Sequence, residues 1–259
     1  MAEPNPRRLT AEPLPGLPEV RGGDDLASIV SEAAAHAGLA IGDGDVLVFA
    51  QKVVSKAEGR LVALETVAPS ARAAELAETL EKDPRFVQLV LDESAEILRA
   101  ERGVLVVRTR TGLVCANAGI DRSNVPGGGE VVCLLPRDPD AAARALRAGL
   151  AERLSARPAV VIADSFGRAW RLGQLDVAIG CAGLAPLHDL RGSADALGRE
   201  LSATIDAIVD AAAAAAALVR DKGGREAVVV VRGLERYLTP EDGPGAAAIV
   251  RPREDDLFT

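Results

Sequence analysis

Two short segments of the chain combine acidic, hydroxyl and basic side chains directly after apolar stretches. The first is Asp121-Arg122-Ser123-Asn124-Val125, and the second is Ala163-Asp164-Ser165-Phe166-Gly167-Arg168-Ala169-Trp170-Arg171. A carboxylate beside a hydroxyl is a set of hard oxygen ligands, which suits Mg²⁺ or Mn²⁺. Capping of a turn or a helix explains any single aspartate of this kind equally well. The presence of two such segments favours a divalent-metal site for an anionic substrate.

Basic residues near these segments are candidates for binding anionic oxygens. Arg168 and Arg171 flank Trp170, the only tryptophan of the chain. They form a candidate clamp for phosphate or carboxylate oxygens, because a guanidinium group can donate two parallel hydrogen bonds; a packed surface cluster is the alternative. Lys52 and Lys56 would share one face of a helix. They predict either a phosphate contact or a solvated basic rim.

The usual signatures of nucleotide and hydrolase sites are missing from the sequence. There is no P-loop motif and no Gly-x-Gly-x-x-Gly after a strand, and Gly127-Gly128-Gly129 predicts a mobile turn. His36 and His188 are the only histidines and lie far apart, which disfavours histidine-dependent hydrolysis. The 3 cysteines lack the close spacing of a zinc site. Any nucleotide site must therefore use other elements.

The composition limits the partners that the protein can have. A chain of 259 residues with 48% hydrophobic and 26% charged residues is typical of a globular protein with a full core. Aromatic residues make up only 2%, which leaves no stacking surface for bases. A net charge of -8 also disfavours nucleic acid and anionic membranes. Because no apolar stretch has the length of a signal peptide or a membrane span, we expect a cytoplasmic protein.

The order of the predicted elements indicates an α+β (mixed α/β) fold, because helices and strands alternate without a clean βαβ repeat. Residues 1–12 predict a flexible tail, and residues 13–258 predict one domain. The predicted elements are a helix after Asp24 or Asp25, a strand at 46–50, two helices within 70–100 separated near Asp83-Pro84, a hairpin of 104–108 and 112–116, a strand at 130–135, a helix from about 138 to 154, a strand at 159–162, a helix at 201–219 and a strand at 228–231.

Four ordered motifs resemble those of the coenzyme F420:L-glutamate ligase family. The similarity covers nearly the whole chain, from about residue 13 to 258. The chain resembles the stand-alone form of the family, which lacks a flavin-reductase-like C-terminal domain. The motifs are Gly16-Leu17-Pro18-Glu19-Val20, Lys52-Val53-Val54-Ser55-Lys56-Ala57-Glu58-Gly59-Arg60, Gly119-Ile120-Asp121-Arg122-Ser123-Asn124-Val125 and Asp164-Ser165-Phe166-Gly167-Arg168-Ala169-Trp170-Arg171.

The resemblance implies a fold of two intimately packed subdomains and a GTP-dependent ligase. Such enzymes add L-glutamate to the deazaflavin precursor F420-0, with γ-linkage after the first residue. GTP is expected to phosphorylate the acceptor carboxylate, and the glutamate amine then displaces phosphate from the acyl phosphate. The family also implies Mg²⁺ or Mn²⁺, a requirement for K⁺, and a homodimer.

The resemblance also assigns roles to individual residues. Asp121, Asp164 and Ser165 match divalent-metal ligands. Asp121, Asp164 and Lys56 are the expected catalytic residues, because phosphoryl transfer to a carboxylate brings anions together and requires positive charge. The positions that match GTP contacts are Leu17, Pro18, Glu19, Val20, Gln51, Lys56 and Asn124.

Some positions depart from the family pattern. Gln51 stands where Ser or Thr is usual, Leu175 replaces Thr, Leu190 replaces Tyr, and Ala211 lacks a frequent acidic side chain. These departures leave open an amide ligase of the same mechanism that acts on another carboxylate acceptor. A third hypothesis, from a different class, is a non-catalytic deazaflavin-binding protein. Retention of Asp121, Asp164 and Lys56 favours the enzyme.

Overall fold

The computed structural model of the protein describes residues 8–221, 223–224 and 226–257. Its helices are α1 (Leu26–Ala37), α2 (Gln51–Ala57), α3 (Ala71–Leu80), α4 (Pro84–Glu93), α5 (Pro139–Arg153) and α6 (Ile208–Val219). Its strands are β1 (Thr10–Pro13), β2 (Val46–Ala50), β3 (Leu61–Ala63), β4 (Ser94–Glu101), β5 (Val104–Thr109), β6 (Val114–Ala116), β7 (Val131–Cys133), β8 (Ala159–Arg168), β9 (Arg171–Ala182), β10 (Leu187–Asp189), β11 (Ile205–Ala207) and β12 (Val228–Arg232).

A five-stranded sheet with the order β1-β12-β2-β8-β9 forms the centre of the fold. β2 and β8 are parallel, and the other neighbours are antiparallel. Alternate residues of β2 belong to two different cores: Leu47 and Phe49 pack with α1 and α5, whereas Val46 and Val48 pack with α6. A strand with apolar side chains on both faces must be covered by helices on both sides. The centre of the molecule is therefore a sheet between helical layers.

A separate hydrophobic core lies in the second part of the fold. It joins α3 and α4 to the sheet β4-β5-β6 and to the pair β3-β7. Leu80, Phe86 and Leu105 are among its buried side chains. The two parts meet where β6 contacts β8 and where α2 contacts β7. The structure thus confirms the predicted α+β (mixed α/β) class.

The helix starts follow the capping residues in the sequence. The side chain of Asp25 accepts a hydrogen bond from the backbone of Ser28 at the start of α1, and Asp138 caps α5 in the same way. Asp83 caps α4, whose first residue is Pro84. An aspartate at the N-cap accepts hydrogen bonds from the free N–H groups of a helix start, and a proline at the first position has no N–H group that needs a partner. The predicted break between two helices near Asp83-Pro84 is confirmed.

The N-terminal prediction was wrong for residues 10–12. They belong to β1, which pairs with β12 from Thr10 to Pro13. β12 is a run of valines buried on both faces. Backbone N–H and C=O groups left without hydrogen bonds along one edge of such a strand would be unfavourable. Pairing with β1 supplies the hydrogen bonds for that edge. Residues 1–7 of the predicted tail and Phe258, the predicted end of the domain, lie outside the described residues.

Three further element boundaries differ from the prediction. Residues 94–101 form β4 instead of continuing a helix. Two register shifts in the pairing of β4 with β5 disrupt the alternation of side chains along this strand, which hides the period of two that would predict it. β8 continues through Asp164 to Arg168, because β9 pairs with it along this whole length. Helix α6 begins at Ile208, since residues 205–207 pair with β10. In the part of the chain that the structure describes, no helix is both long and apolar enough to cross a membrane.

Candidate functional site

The end of β2 places two lysines beside the central sheet. Ala50 pairs with Ala163 of β8, and α2 begins at the next residue. Lys52 and Lys56 lie one turn apart on this helix. The Lys56 side chain is only 9% exposed, and its Nζ lies 2.5 Å from Oε1 of Glu19. The solvated-rim interpretation is therefore wrong for Lys56, because a rim lysine keeps its ammonium group in water.

Lys52 binds the first of the two acidic segments. Its Nζ lies 2.6 Å from Oδ2 of Asp121 and donates to Oγ of Ser123 at 2.6 Å. The backbone of Asp121 is fixed by two hydrogen bonds with Cys133. Burial opposes ionisation of Asp121, but the hydrogen bonds from Lys52 and Ser123 outweigh it and lower the pKa of this carboxyl group. Asp121 is therefore a carboxylate at neutral pH.

Asp164 is a partly buried carboxyl group beside other acids. Burial raises its pKa to about 7, and the charges of Asp121 and Asp176 add to this effect, while Lys52 acts in the opposite direction. A second carboxylate near a first one resists ionisation unless positive charge is supplied. Lys52 is already engaged with Asp121. The surroundings of Asp164 therefore favour an additional cation.

Ser165 points away from Asp164. The two are neighbours in β8, where successive side chains lie on opposite faces of the sheet. Ile162 packs in the core of α1 and α5, and Ala163 packs in the core of α6. By this alternation Asp164 lies on the α1 side, and Ser165 lies on the α6 side. The structure therefore divides the predicted metal-ligand set between two faces.

The Ser165 hydroxyl group belongs to a second polar cluster. It donates to Oδ1 of Asp176 at 2.5 Å, and Oδ2 of Asp176 accepts from Nη1 of Arg220 at 2.8 Å. Asp176 lies directly opposite Ser165 in the register of β8 and β9. Arg220 directly follows α6 and also donates to the carbonyl oxygen of Val48. This cluster places a hydroxyl group, a carboxylate and a guanidinium group together.

Gln51 and Asn124 are two of the predicted nucleotide contacts. Gln51 begins α2 and is 1% exposed. Its Oε1 accepts from Ser55, whereas its Nε2 has no hydrogen-bond partner within the described residues. A buried amide donor without an acceptor is costly, so this position suits a ligand oxygen. Asn124 adopts a left-handed backbone conformation with φ 52°, which asparagine tolerates better than most residues.

The segment after β1 contributes mainly Glu19. Leu17 and Val20 are buried in the core, and Pro18 and Glu19 are exposed. The carboxylate of Glu19 reaches Lys56. Of the four predicted contacts Leu17, Pro18, Glu19 and Val20, Glu19 is thus the one whose side chain reaches Lys56. The buried Leu17 and Val20 fix the path of the loop.

The predicted arginine clamp lies at the exposed tip of the β8–β9 hairpin. Arg168 and Arg171 are opposite each other in the strand register, and both are exposed. Nη2 of Arg168 donates to the carbonyl oxygen of Leu172 at 2.7 Å. The clamp stays a prediction. It lies at the tip of the hairpin, several strand residues away from Asp164.

Two residues of the site, Asp176 and Arg220, were not among the candidates from the sequence, and the partner of a third residue, Lys52, was not predicted. The spacing of Lys52 and Lys56 indicates that Lys52 shares the face of Lys56, but only the structure pairs it with Asp121. Asp176 and Arg220 carry no local signal, because the hairpin register and the end of α6 bring them to Ser165. Knowledge of that register alone would have identified Asp176.

The donor set fits a divalent cation that is shared with a ligand. Among the residues that the structure describes, no group of three or more His, Cys, Asp or Glu side chains forms a metal cage. Mg²⁺ is commonly bound by one or two carboxylates, with water and substrate phosphates completing its coordination. Asp121 and Asp164 supply carboxylates of this kind. The site is therefore suited to a cation that arrives with phosphate oxygens.

Comparison with known proteins places this chain in a family. The family model described as F420-0:Gamma-glutamyl ligase matches residues 16–233. The chain is 43% identical to the coenzyme F420:L-glutamate ligase of Methanothermobacter thermautotrophicus over 94% of this chain and 96% of that protein. It is 44% identical to the protein of the same name from Methanopyrus kandleri, over 96% and 97%, and to that from Haloarcula marismortui, over 93% and 92%. The chain therefore belongs to the F420-0:γ-glutamyl ligase family.

Proposed function

We propose that this protein ligates L-glutamate to F420-0 in coenzyme F420 biosynthesis, with GTP and a divalent cation as the activating system. The family membership supports the ligase activity, and the relatives carry the name coenzyme F420:L-glutamate ligase. The observation that carries the proposal further is that Asp121, Asp164 and Lys52 lie close enough for their charges to act on one another, beside the end of β2. Such a set neutralises anions that must approach one another.

In this proposal Asp121 and Asp164 hold Mg²⁺ or Mn²⁺, which supplies positive charge to the transferring phosphoryl group. Lys52 orients Asp121 through the pair at 2.6 Å. Lys56 and the free Nε2 of Gln51 donate to phosphate oxygens. Asn124 and the loop Leu17–Val20 contact the nucleotide, and K⁺ is a further proposed requirement.

The reaction consists of two balanced transfers. An acceptor carboxylate oxygen attacks the γ-phosphorus of GTP, the bond to the bridging oxygen breaks, and GDP leaves. The amine of L-glutamate then attacks the acyl carbon, an amide bond forms, inorganic phosphate leaves with the bonding electron pair, and the amine proton passes to the surroundings. The residues above act by position and charge, because no side-chain nucleophile is needed.

The proposed function is tested by incubating the purified protein with F420-0, L-glutamate, GTP, Mn²⁺ and K⁺. We expect a product that is heavier by one or more glutamyl residues, measured by mass spectrometry. Each amide bond consumes one activated carboxylate, so new amide bonds, GDP and phosphate must form in equal amounts. Omission of glutamate or replacement of GTP by ATP provides the controls.

Two other outcomes would point elsewhere. Turnover of GTP only when a different carboxylate is supplied would favour an amide ligase with another acceptor. Leu175 supports this second candidate, because it is 37% exposed on β9 at a position where the family resemblance implies threonine as the usual residue. Tight binding of the deazaflavin with neither GDP nor product would contradict the enzyme and favour a binding protein.

We also propose that the protein forms a homodimer through the β8–β9 hairpin. Trp170 and Leu172 at its tip are 80% and 97% exposed, and adjacent exposed apolar side chains on a projecting hairpin are typical of an interaction surface. Sedimentation analysis should give a species of about twice the 26.8 kDa of one chain. We expect Leu172→Ser to weaken this dimer. Leu218→Ser on α6, where the leucine is 87% exposed, is the matched control and should leave it intact.

A further inference from the structure

The outer part of the β8–β9 hairpin carries two arginines that the site described above does not use. Residues 167–175 are all exposed and form an arm beyond the core of the sheet. Arg168 and Arg171 lie opposite each other on this arm, which contains no Asp or Glu. Neither guanidinium group has an acidic partner in the part of the chain that the structure describes. Like charges directly opposite each other on paired strands are unfavourable, so this pair suits a bound anion.

The arm holds its arginines away from the Asp164 of the same chain. Asp164, Phe166 and Arg168 alternate along β8 and therefore share one face, on which Phe166 packs against the core of α1 and α5. Arg168 is four residues beyond Asp164, a separation of about 14 Å along an extended strand. Its Nη2 is also held at the tip by the carbonyl oxygen of Leu172. The pair thus has the correct face for the site but lies too far along the strand.

The apolar side chains of the arm require a partner surface larger than a second tip. Trp170 and Leu172 are 80% and 97% exposed, and Leu175 adds a further exposed leucine nearer the base. A tryptophan buries up to about 250 Å², whereas a stable interface takes about 800 Å² from each partner. Contact between two tips alone is too small. A dimer formed through this hairpin must therefore place each arm along the length of its partner.

Two-fold symmetry determines how two such arms can lie together. In an isologous interface, residue i of one copy contacts residue j of the other, and j contacts i. Neighbouring arms around a two-fold axis therefore run antiparallel, with the tip of each beside the base of the other. β9 is the outermost strand of the central sheet, and an edge strand presents free N–H and C=O groups to a further strand. The base of the arm is where Asp164 lies.

The charges of the two ends are complementary in this arrangement. The arm is basic in a chain whose net charge is -8. At its base, Asp164 lies close enough to Asp121 and Asp176 for their charges to oppose its ionisation. Lys52, the basic side chain that acts on Asp164, is already paired with Asp121. Additional positive charge is therefore favourable where the partner's tip arrives.

We propose that the arms of two copies lie antiparallel, and that the partner's Arg168 and the partner's Arg171 bind phosphate oxygens of the nucleotide held at Asp121 and Asp164. Each site is then incomplete without the second copy. An arginine supplied by a second molecule is an effective way to stabilise the charge of a transferring phosphoryl group. The inference rests on the proposed function, because it assumes that GTP binds at this site and that the protein is a dimer.

Mixed dimers of two differently tagged protomers test this arrangement. One protomer carries Asp164→Asn, and the other carries Arg168→Gln together with Arg171→Gln. Dimers with either set on both protomers should ligate glutamate about 100-fold more slowly or worse. The mixed dimer has one site in which an intact Asp164 meets intact arginines of the partner. It should therefore regain about half of the activity of the unsubstituted dimer.

The mirror arrangement provides the decisive comparison. Here one protomer carries all three substitutions and the other carries none, and we expect almost no ligation because the intact Asp164 faces the substituted arm. If the arginines served their own protomer, the first mixed dimer would be inactive and the second would keep about half of the activity. That reversal, or near-normal ligation by the arginine variant, would overturn the inference. Arg72→Gln, at an exposed arginine of α3, is the matched control and should leave ligation unaltered.

Two further variants separate the role of the arginines from formation of the dimer. Arg171→Gln removes a side chain with no hydrogen bond or ion pair among the described residues, so sedimentation should still give a dimer while ligation falls about tenfold. Leu172→Ser should lose specific activity on dilution and regain it at high protein concentration. Full specific activity where sedimentation shows monomers would contradict the inference. Absence of GTP-dependent ligation by the unsubstituted dimer would instead contradict the proposed function.

Discussion

Asp164→Asn is expected to lower the rate of glutamyl ligation about a thousandfold or more while the protein stays folded. A metal ion contributes several kcal/mol to stabilising the charge of a phosphoryl-transfer transition state, and about 4 kcal/mol corresponds to a thousandfold in rate. The amide of asparagine has nearly the same shape but no charge with which to hold the cation. The measurement is the initial rate of product formation over a Mn²⁺ titration.

The same substitution should stabilise the protein when no metal is bound. Burial raises the pKa of Asp164 to about 7, from a usual value of 3.8. Between these pH values the unfolded chain gives up the proton and the folded chain keeps it, so stability falls as the pH rises toward 7 and stays lower above it. Asparagine cannot ionise and escapes this loss. We therefore expect Asp164→Asn to unfold at a higher temperature than the unsubstituted protein at pH 8, with no such advantage near pH 4.

Asp210→Asn is the matched control for Asp164→Asn. Burial also raises the pKa of Asp210, which accepts a hydrogen bond from the backbone of Ala178. Neutralising this carboxylate should leave ligation close to normal, because Asp210 has its own backbone partner and no part in holding the cation. Near-normal turnover by Asp164→Asn across the Mn²⁺ titration would remove Asp164 from the metal site. An equal loss of ligation activity in both variants would mean that the effect comes from a disturbed fold and not from the metal site.

The sequence was sufficient where local chemistry decides the structure. Asp25 and Asp138 cap helices because a carboxylate is a good acceptor for free N–H groups, and Pro84 begins a helix because its missing N–H costs nothing there. Runs of apolar residues such as Val228–Val231 predicted buried strands correctly. The acids Asp121 and Asp164 were also predicted to act together, and the structure places their charges close enough to influence each other.

The sequence was insufficient where long-range pairing decides the structure. The motif Asp164-Ser165 suggests two ligands for one ion, but an extended strand turns these side chains to opposite faces. Whether the strand continued past Asp164 depended on β9, which no local pattern predicts. The same pairing brings Asp176 to Ser165. The residues that come together through the register of paired strands are therefore the part of this site that could not be predicted from a single sequence.

The two lysines of α2 divide the positive charge of the site between different partners. Lys52 is 21% exposed and pairs with Asp121, a predicted metal ligand. Lys56 is less exposed and pairs with Glu19, whose side chain is 53% exposed. A partner that remains in water can be exchanged at little cost, because exposed ion pairs are worth only about 0–1 kcal/mol. Lys56 is thus the lysine that is free to transfer its interaction from Glu19 to a phosphate group.

Lys56→Ala should therefore impair nucleotide use far more than folding. A hydrogen bond to a charged group contributes about 1.5–3 kcal/mol, so we expect kcat/KM for GTP to fall about 100-fold. Loss of the ion pair should cost about 1 kcal/mol of stability, since Glu19 is 53% exposed, and removal of the buried lysine stem adds a packing cost to this. Steady-state kinetics with GTP, together with urea unfolding of the same preparations, measure both effects.

Two further variants separate the charge of Lys56 from its bulk and from lysine loss in general. Lys56→Arg keeps the charge and should recover part of the activity, although a guanidinium group does not reproduce a compact ammonium group. Lys82→Ala removes a lysine that lies over the ring of Phe86 in the other core, and should leave the kinetics for GTP unaltered. An unchanged KM and kcat for GTP in Lys56→Ala would mean that the ammonium group serves only Glu19, and that Lys52 with the bound cation carries the neutralisation of the phosphates.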